Sequence, residues 1–427
     1  MPLLPPNHPE RFVLAEEVHA RPPILIPSPA QATYVALLVA PENREKELAH
    51  LRTLCEMFAA PSPTGNATHL SAILGGVRLK WERHGEFSGY TFVASGDGVK
   101  ADSFADTATQ LLPADWLANI PGQTVAAAHL LLRISEPILN SSIDHSSWFG
   151  ANMVVGASIE GNNATVLTDF KIHNDGFARF ILLDHDLKPR QAGQIMQRLF
   201  EIEAYRNLAL LALPIARRQS PRILAIEQSL AVLTDGIAKD DGEDEKLLHE
   251  LTRLAAEVES GLAASQFRFG ACRAYFELVT TRIVELREER IPGVQTIEEF
   301  MSRRFKPAVA TCTTVSQRLR DLSERVAQAS GLLSTRVNIA REKQNQQLLS
   351  SMDKRAKLQL RLQQTVEGLS IAAIVYYIVG LFNYLLKALK AGGANINVDL
   401  LIGISIPIFL VMIMVGVRKV RAKISSG

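Results

Sequence analysis

The chain has 427 residues, a formal charge of +2 and 21% charged side chains. That balance excludes an electrostatic nucleic-acid binder or an acidic tail, and the length allows two or three domains with cores of their own. Three scattered cysteines, Cys55, Cys272 and Cys312, supply neither a disulfide framework nor a metal knuckle and fit a reducing compartment.

The opening "MPLLPPNHPERF" has no basic stretch followed by an apolar core, so no cleaved secretory signal is expected. Next comes "EVHARPP" at 17–23, which sets Glu17, His19 and Arg21 on alternate positions before a diproline. It reads as an extended segment with titratable groups on one face, or as a surface strand that Pro22 and Pro23 end. Residues 1–190 read as a cytoplasmic α/β domain. Strands are expected at 32–40, 77–82, 87–94, 125–134, 152–160, 164–170 and 177–184, with a helix over 43–59. No glycine-rich phosphate loop follows any of these strands.

From 191 to 295 the periodicity becomes helical and predicts a bundle, with helices over 194–213 (stopped by Pro214), 220–236, 243–259 and 264–290 and a break near Gly261. "IPGVQT" at 291–296 reads as a turn with a helix start behind it. Residues 296–365 form the expected stalk, of which the proline-free stretch 308–365 would extend about 85 Å as one helix. Val315, Leu319, Leu322, Val326, Ala329 and Leu333 alternate steps of four and three, a coiled-coil seam. It suits bundle packing and homo-oligomerisation equally well.

Two apolar stretches follow, 366–389 and 400–417, joined by a loop over 390–399 and ended by a basic tail over 418–427. Segments of about 20 residues match a hydrocarbon layer of roughly 30 Å, so the pair reads as a transmembrane hairpin. Lys354, Arg355, Lys357 and Arg361 precede it, and Arg418, Lys419, Arg421 and Lys423 follow. The positive-inside rule then puts both termini in the cytoplasm. The expected fold class is an α/β amino-terminal domain, a helical bundle with a long stalk helix, and a carboxyl-terminal two-helix hairpin in the lipid bilayer.

Candidate chemistry is sparse. Glu17 with His19, and the strand-like trio Glu82, His84 and Glu86, carry donors that suit zinc, iron or manganese. Neither matches a known metal spacing, and a polar strand face explains the trio as well. "LDHD" at 183–186 and "SIDHSSWFG" at 142–150 gather Asp, His and Ser without a nucleophile elbow. The arginines of "FRFGACRAYFELVTTRIVELRE" at 267–288 could meet a phosphate, although pairing with acidic neighbours accounts for them more simply. Within the hairpin the polar positions are Ser370, Asn383 and Lys387. They could ring a pore mouth in an oligomer, or serve interhelical hydrogen bonding and snorkelling. No cofactor is indicated.

"NHPERFVLAEEVHARPP", "LKWERHGEFSGYTF", "RLFEIEAYRNLALLALPIA" and "TVEGLSIAAIVYYIVGL" together resemble the bacterial membrane-anchored family called domain of unknown function 3422. The resemblance covers essentially the whole chain and implies an inner-membrane topology without implying an activity. The layout alone is also similar to the magnesium and cobalt two-span channel superfamily, although its Gly-Met-Asn signature is absent and "KAGGANIN" stands there instead. Three functions follow as expectations: a homo-oligomeric inner-membrane ion channel or transporter, a membrane-tethered scaffold or sensor, and an anchored metal-dependent enzyme.

Overall fold

The computed structural model describes residues 5–12, 14–15, 23–65, 67–96, 99, 101–135, 146–239, 243–393 and 396–424. The chain forms two compact units, one ending at Ser330 and one starting at Gly331. The first is built on an eight-stranded sheet. Its strands are β1 (Ala30–Leu38), β2 (His69–Leu74), β3 (Val77–Arg83), β4 (Phe87–Ser95), β5 (Gln123–Ile134), β6 (Val155–Ile159), β7 (Ala164–Thr168) and β8 (Ala178–Asp184). They lie in the order β2-β3-β4-β1-β5-β8-β7-β6. Every neighbouring pair is antiparallel except β5 and β8, which run parallel.

Position in the sheet explains the strand sequences. Central β1 and β8 are covered on both faces and read as near-continuous apolar runs, whereas edge strand β2 alternates exposed and buried residues. Sequence patterning misses β2, because "HLSAIL" holds Ile73 as its one β-branched residue and no Phe, Tyr or Trp to mark a strand. Pairing with β3 makes it one, in the register Leu70 to Trp81.

One face of the sheet is closed by α1 (Arg44–Met57), whose Leu48, Leu51 and Leu54 pack with Trp81, Tyr90, Phe92 and Trp116. The other face carries α3 (Pro189–Leu210), where Phe200 stacks on Tyr34 at 5.2 Å and meets Phe180 edge-on. A short α2 (Ser146–Phe149) buries Phe149 against Leu131 and Ile181.

Helices α4 (Ala212–Lys239), α5 (Asp244–Leu286) and α6 (Ile297–Ala391) complete the first unit, and α6 continues into the second. The break expected at Pro214 falls at Leu211, between α3 and α4, and the break expected near Gly261 is absent. Pro214 lies in the first turn of α4, where the missing N–H has no helical acceptor to lose. Gly261 lies inside α5, where a Cβ would make ordinary 3.6 Å contacts with Leu319 and Gln219, so the helix runs through it without a break. The start of α6 at Ile297, ahead of Pro307, is fixed by a reciprocal cap. Thr296 Oγ1 accepts from the Glu299 amide at 3.1 Å, and the Thr296 amide donates to Glu299 Oε2 at 3.3 Å.

The coiled-coil seam is consumed inside the chain. Val315, Leu319, Leu322 and Val326 are buried in the first unit, flanked by the Arg318–Glu227 ion pair at 2.7 Å and a Ser323–Glu259 hydrogen bond. Bundle packing accounts for this stretch. All three cysteines are buried and unbridged.

In the second unit, α6 is exposed over 338–366 and then forms a hairpin with α7 (Val398–Ile424). Both helices are long and apolar enough to cross a membrane, with mean hydropathies of 1.9 and 2.8 over their most apolar stretches. Val375 and Leu386 on α6 and Val398 and Ser405 on α7 are buried at helical spacing, and Phe382 meets Phe409 edge-on at 5.5 Å. Gly393, at φ +104°, lies past the end of α6, where its amide bonds to the Lys390 carbonyl at 3.2 Å.

A buried histidine gives the first unit a pH limit. His129 on β5 shares a 2.8 Å hydrogen bond with Thr33 and stacks on Phe177 at 4.0 Å. Burial lowers its pKa to about 4, opposed by Asp175, which raises it, and reinforced by Arg179. Because the unfolded side chain titrates near 6.5, the unfolded state takes up the proton first as pH falls. The stabilisation is complete above that value and is lost progressively from about pH 6.5 toward 4. Its full span is roughly 3 kcal/mol. Denaturant titrations at pH 7 and pH 4.5 should show this loss in the native protein and a flatter profile in His129→Gln. Equal slopes in the two proteins would remove His129 as the cause.

Candidate ligand-binding cleft

The hairpin joining β3 to β4 is a polar point where sheet and helices meet. The His84 amide bonds to the Phe87 carbonyl at 2.8 Å and closes a three-residue turn. Period-two alternation sends Trp81 and Arg83 toward α1 and Lys80 and Glu82 toward α3. Arg44, at the start of α1, donates to the Gly85 carbonyl at 2.8 Å. Glu86 forms a two-pronged ion pair with Arg268 of α5 and also engages Tyr275.

Beneath the turn lies an aromatic shelf. His84 stacks on Phe87 at 4.2 Å, Phe87 meets Tyr205 and Tyr275 edge-on, and these two tyrosines stack at 5.5 Å. Burial, with the Glu86 carboxylate beside it, pushes the Tyr275 phenol upward.

A polar relay continues across the helices. Lys80 pairs with Glu82 at 3.1 Å and reaches Gln197, which donates to Glu201 at 2.8 Å. Glu201 pairs with Arg282, and Arg282 also holds Glu285 at 3.1 Å. The cavity among Tyr34, Glu82, His84, Gln197 and Glu201 measures about 20 Å³, room for one water and not for a substrate.

The larger space is on the other side of the turn. A cleft of about 550 Å³ has an apolar wall of Leu38, Val39, Pro41 and Phe267, and a polar rim of Asn43, Arg44, Glu86 and Gln123. This volume suits a small molecule. Gly122 is required at its edge, because with φ +154° a Cβ would lie 2.9 Å from the Leu38 carbonyl oxygen. Glu86 is committed to Arg268 and Tyr275, so among the described residues the cleft lining offers recognition groups and no uncommitted carboxylate.

The structure thus brings Glu82 and His84 to the small cavity and Glu86 to the cleft. Among the described residues, no group of three or more His, Cys, Asp or Glu could hold a metal ion. Glu17 and His19 lie outside the described residues, as do Asp144 and His145. "LDHD" has local structural duties. Asp184 accepts from Ser28 and from the Leu187 amide, and His185 bridges the Ser135 carbonyl and Thr165.

Sequence reasoning missed Lys80, Gln197, Glu201 and the tyrosine shelf. A signal existed: Arg268, Tyr275 and Arg282 recur every seven residues, and Gln197, Glu201 and Tyr205 every four, so each set occupies one helix face.

In the second unit, Ser370 donates to the Val366 carbonyl at 2.9 Å and is exposed, as is Lys387. Asn383 is half-buried, with its Oδ1 buried and unpartnered among the described residues.

No curated protein and no solved structure matches the chain. The family described as a protein of unknown function, DUF3422, matches residues 6–424, nearly the whole length, and the chain belongs to it.

Proposed function

We propose that this protein is a membrane tether: the hairpin of α6 and α7 anchors it in the bacterial inner membrane and keeps the first unit, with its cleft, at the cytoplasmic face as a scaffold or sensor. The observation that carries this reading is the distribution of polarity along the first span. Its exposed side chains include Leu369, Ile374, Tyr376, Tyr377, Leu381, Tyr384 and Leu385, a surface suited to acyl chains. The exposed polar residues Ser370 and Lys387 are 17 positions apart, about 100° around the helix, so they do not form the continuous stripe a pore requires. The basic residues flanking both spans support the cytoplasmic orientation.

The channel reading makes the opposite prediction, and reconstitution separates them. Full-length protein in vesicles should resist alkaline carbonate extraction and leave an imposed potassium or proton gradient to decay at the rate of empty vesicles. Flux that rises in proportion to protein content would overturn tethering in favour of an oligomeric pore.

A further inference from the structure

We propose that a pocket among α4, α5 and α6 binds a free α-amino acid with a short aliphatic side chain. All of its residues belong to the first unit, so the inference stands apart from the membrane reading. The pocket measures about 170 Å³, the volume of roughly six waters, and so admits a small metabolite and nothing much larger.

Helix periodicity builds it. Gln219, Arg222, Ile223 and Ile226 share one face of α4, and Glu257, Ser260, Gly261 and Ala264 share one face of α5. Leu319 of α6 completes the lining. The buried apolar part, Ile223, Ile226 and Leu319, is purely aliphatic.

Gln219 is the residue that points to a ligand. It is only 8% exposed, and its Oε1 and Nε2 lie 3.6 and 3.7 Å from the Cβ position of Gly261, beside it in the lining. No described residue hydrogen-bonds to this carboxamide. A buried amide without a partner is costly, and native proteins almost always supply one. Here the partner has to come from the pocket.

The charged groups of the lining narrow the choice. Arg222 and Glu257 are both exposed, carry opposite charges and do not pair with each other. Arg222 has no ion pair among the described residues. Glu257 reaches Arg253 only at 3.8 Å, and Arg253 is held more closely by Glu250, at 3.0 Å. The Ser260 hydroxyl also has no partner among the described residues.

A zwitterion satisfies all of these groups at once. Its carboxylate accepts from Arg222 and Ser260, its ammonium donates to Glu257, and its side chain covers the aliphatic floor. Gln219, which both donates and accepts, can bond to either end. A simple anion would leave Glu257 facing it, a simple amine would leave Arg222 unpaired, and a peptide terminus carries only one of the two charges.

The test is equilibrium dialysis of the full-length protein in detergent micelles against labelled L-alanine, L-valine and L-leucine. Isobutylamine and isovaleric acid, which are valine without its carboxylate and without its amine, are the matched controls. The native protein should bind one amino acid per chain and should hold each control at least about tenfold more weakly. Q219L should weaken L-valine binding about tenfold, while the ligand-free variant unfolds at the same or a higher temperature, because it no longer buries an unbonded amide. R222Q, at an exposed position, should weaken L-valine about ten- to a hundredfold and leave isobutylamine unchanged.

Binding of none of the three amino acids would overturn the proposal, since water alone would then satisfy Gln219. Equal affinity for L-valine and its two controls would also overturn it, because the pocket would then recognise only the aliphatic group. A Q219L variant that loses stability but keeps its affinity would make the amide purely structural. If Q219L fails to fold, R222Q and the two controls decide the matter on their own.

Discussion

Replacing Glu47 by alanine is expected to destabilise the first unit by about 3–5 kcal/mol, the range for removing one partner from a buried charge pair. Glu47 is fully buried in α1, facing the sheet. Its Oε1 accepts from Trp81 Nε1 at 3.1 Å and from the Tyr90 hydroxyl at 2.9 Å, while Oε2 faces Arg83 at 3.4 Å. Burial and this carboxylate together push the Tyr90 phenol well above its ordinary range. Alanine would strand the Trp81 and Tyr90 donors in the core and leave Arg83 without its counter-charge, with a guanidinium Nε that already lacks a partner among the described residues.

Glu47→Gln can keep Oε1 as the acceptor for both neutral donors but removes the charge opposite Arg83 and sets an NH2 group there, so about half that loss is expected of it. Denaturant unfolding followed by tryptophan fluorescence suits the measurement, because Trp81 and Trp116 both sit in this core. A loss under about 1 kcal/mol in the alanine variant would mean that water replaces the carboxylate at little cost. The consequence reaches the cleft, because Arg83 also bonds to the Arg44 carbonyl and is followed directly by the hairpin turn. Loosening Glu47 should therefore loosen the polar rim.

What could be read in advance follows from the range over which each feature is encoded. The two apolar segments were legible because their composition is sustained over some 20 consecutive residues, and the observed helices, long and apolar enough to cross a membrane, contain both. Strands β3 and β4 were legible because Leu79 and Trp81 alternate with Arg78, Lys80 and Glu82 across a tight turn. The order of the sheet was not, since nothing local records that β5 lies beside β8 and runs parallel to it. The continuity of α5 through Gly261 was hidden because a glycine reads locally as a helix break, whereas the helix there packs beside Leu319, 58 positions away in the chain. The cleft was invisible for the same reason. Its walls come from the end of β1, the β3–β4 turn, the start of β5 and Phe267 of α5. Glu82, His84 and Glu86 read in the sequence as metal candidates or a polar strand face; Lys80, Arg268 and Tyr275 engage both of the carboxylates, and helix periodicity held only the spacing of the helical partners.

The second large effect is expected at Gly193, where alanine should cost about 3 kcal/mol, the upper part of the range for overpacking. Gly193 lies in the second turn of α3, and a Cβ there would fall 1.7 Å from the Ile24 carbonyl oxygen. No rotamer relieves that overlap, because both atoms belong to or adjoin the backbone. The crossing is held by the Ile26 amide, which bonds to the Pro189 carbonyl at 3.0 Å, and by burial of Ile24 and Ile26. A methyl group must therefore lift the 24–26 segment or shift α3, which carries Gln197, Glu201 and Tyr205 of the polar relay.

Gly270→Ala is the matched control. That glycine lies in α5 with nothing within 4 Å of its Cβ position, so the substitution should stabilise by roughly 0.5–1 kcal/mol through helix propensity alone. Opposite signs from the same chemical change in two helices would identify backbone contact as the cause. If both variants gained stability, the approach of α3 to Ile24 would be looser than the structure has it, and amide exchange at Ile26 would then be fast in the native protein as well as in Gly193→Ala.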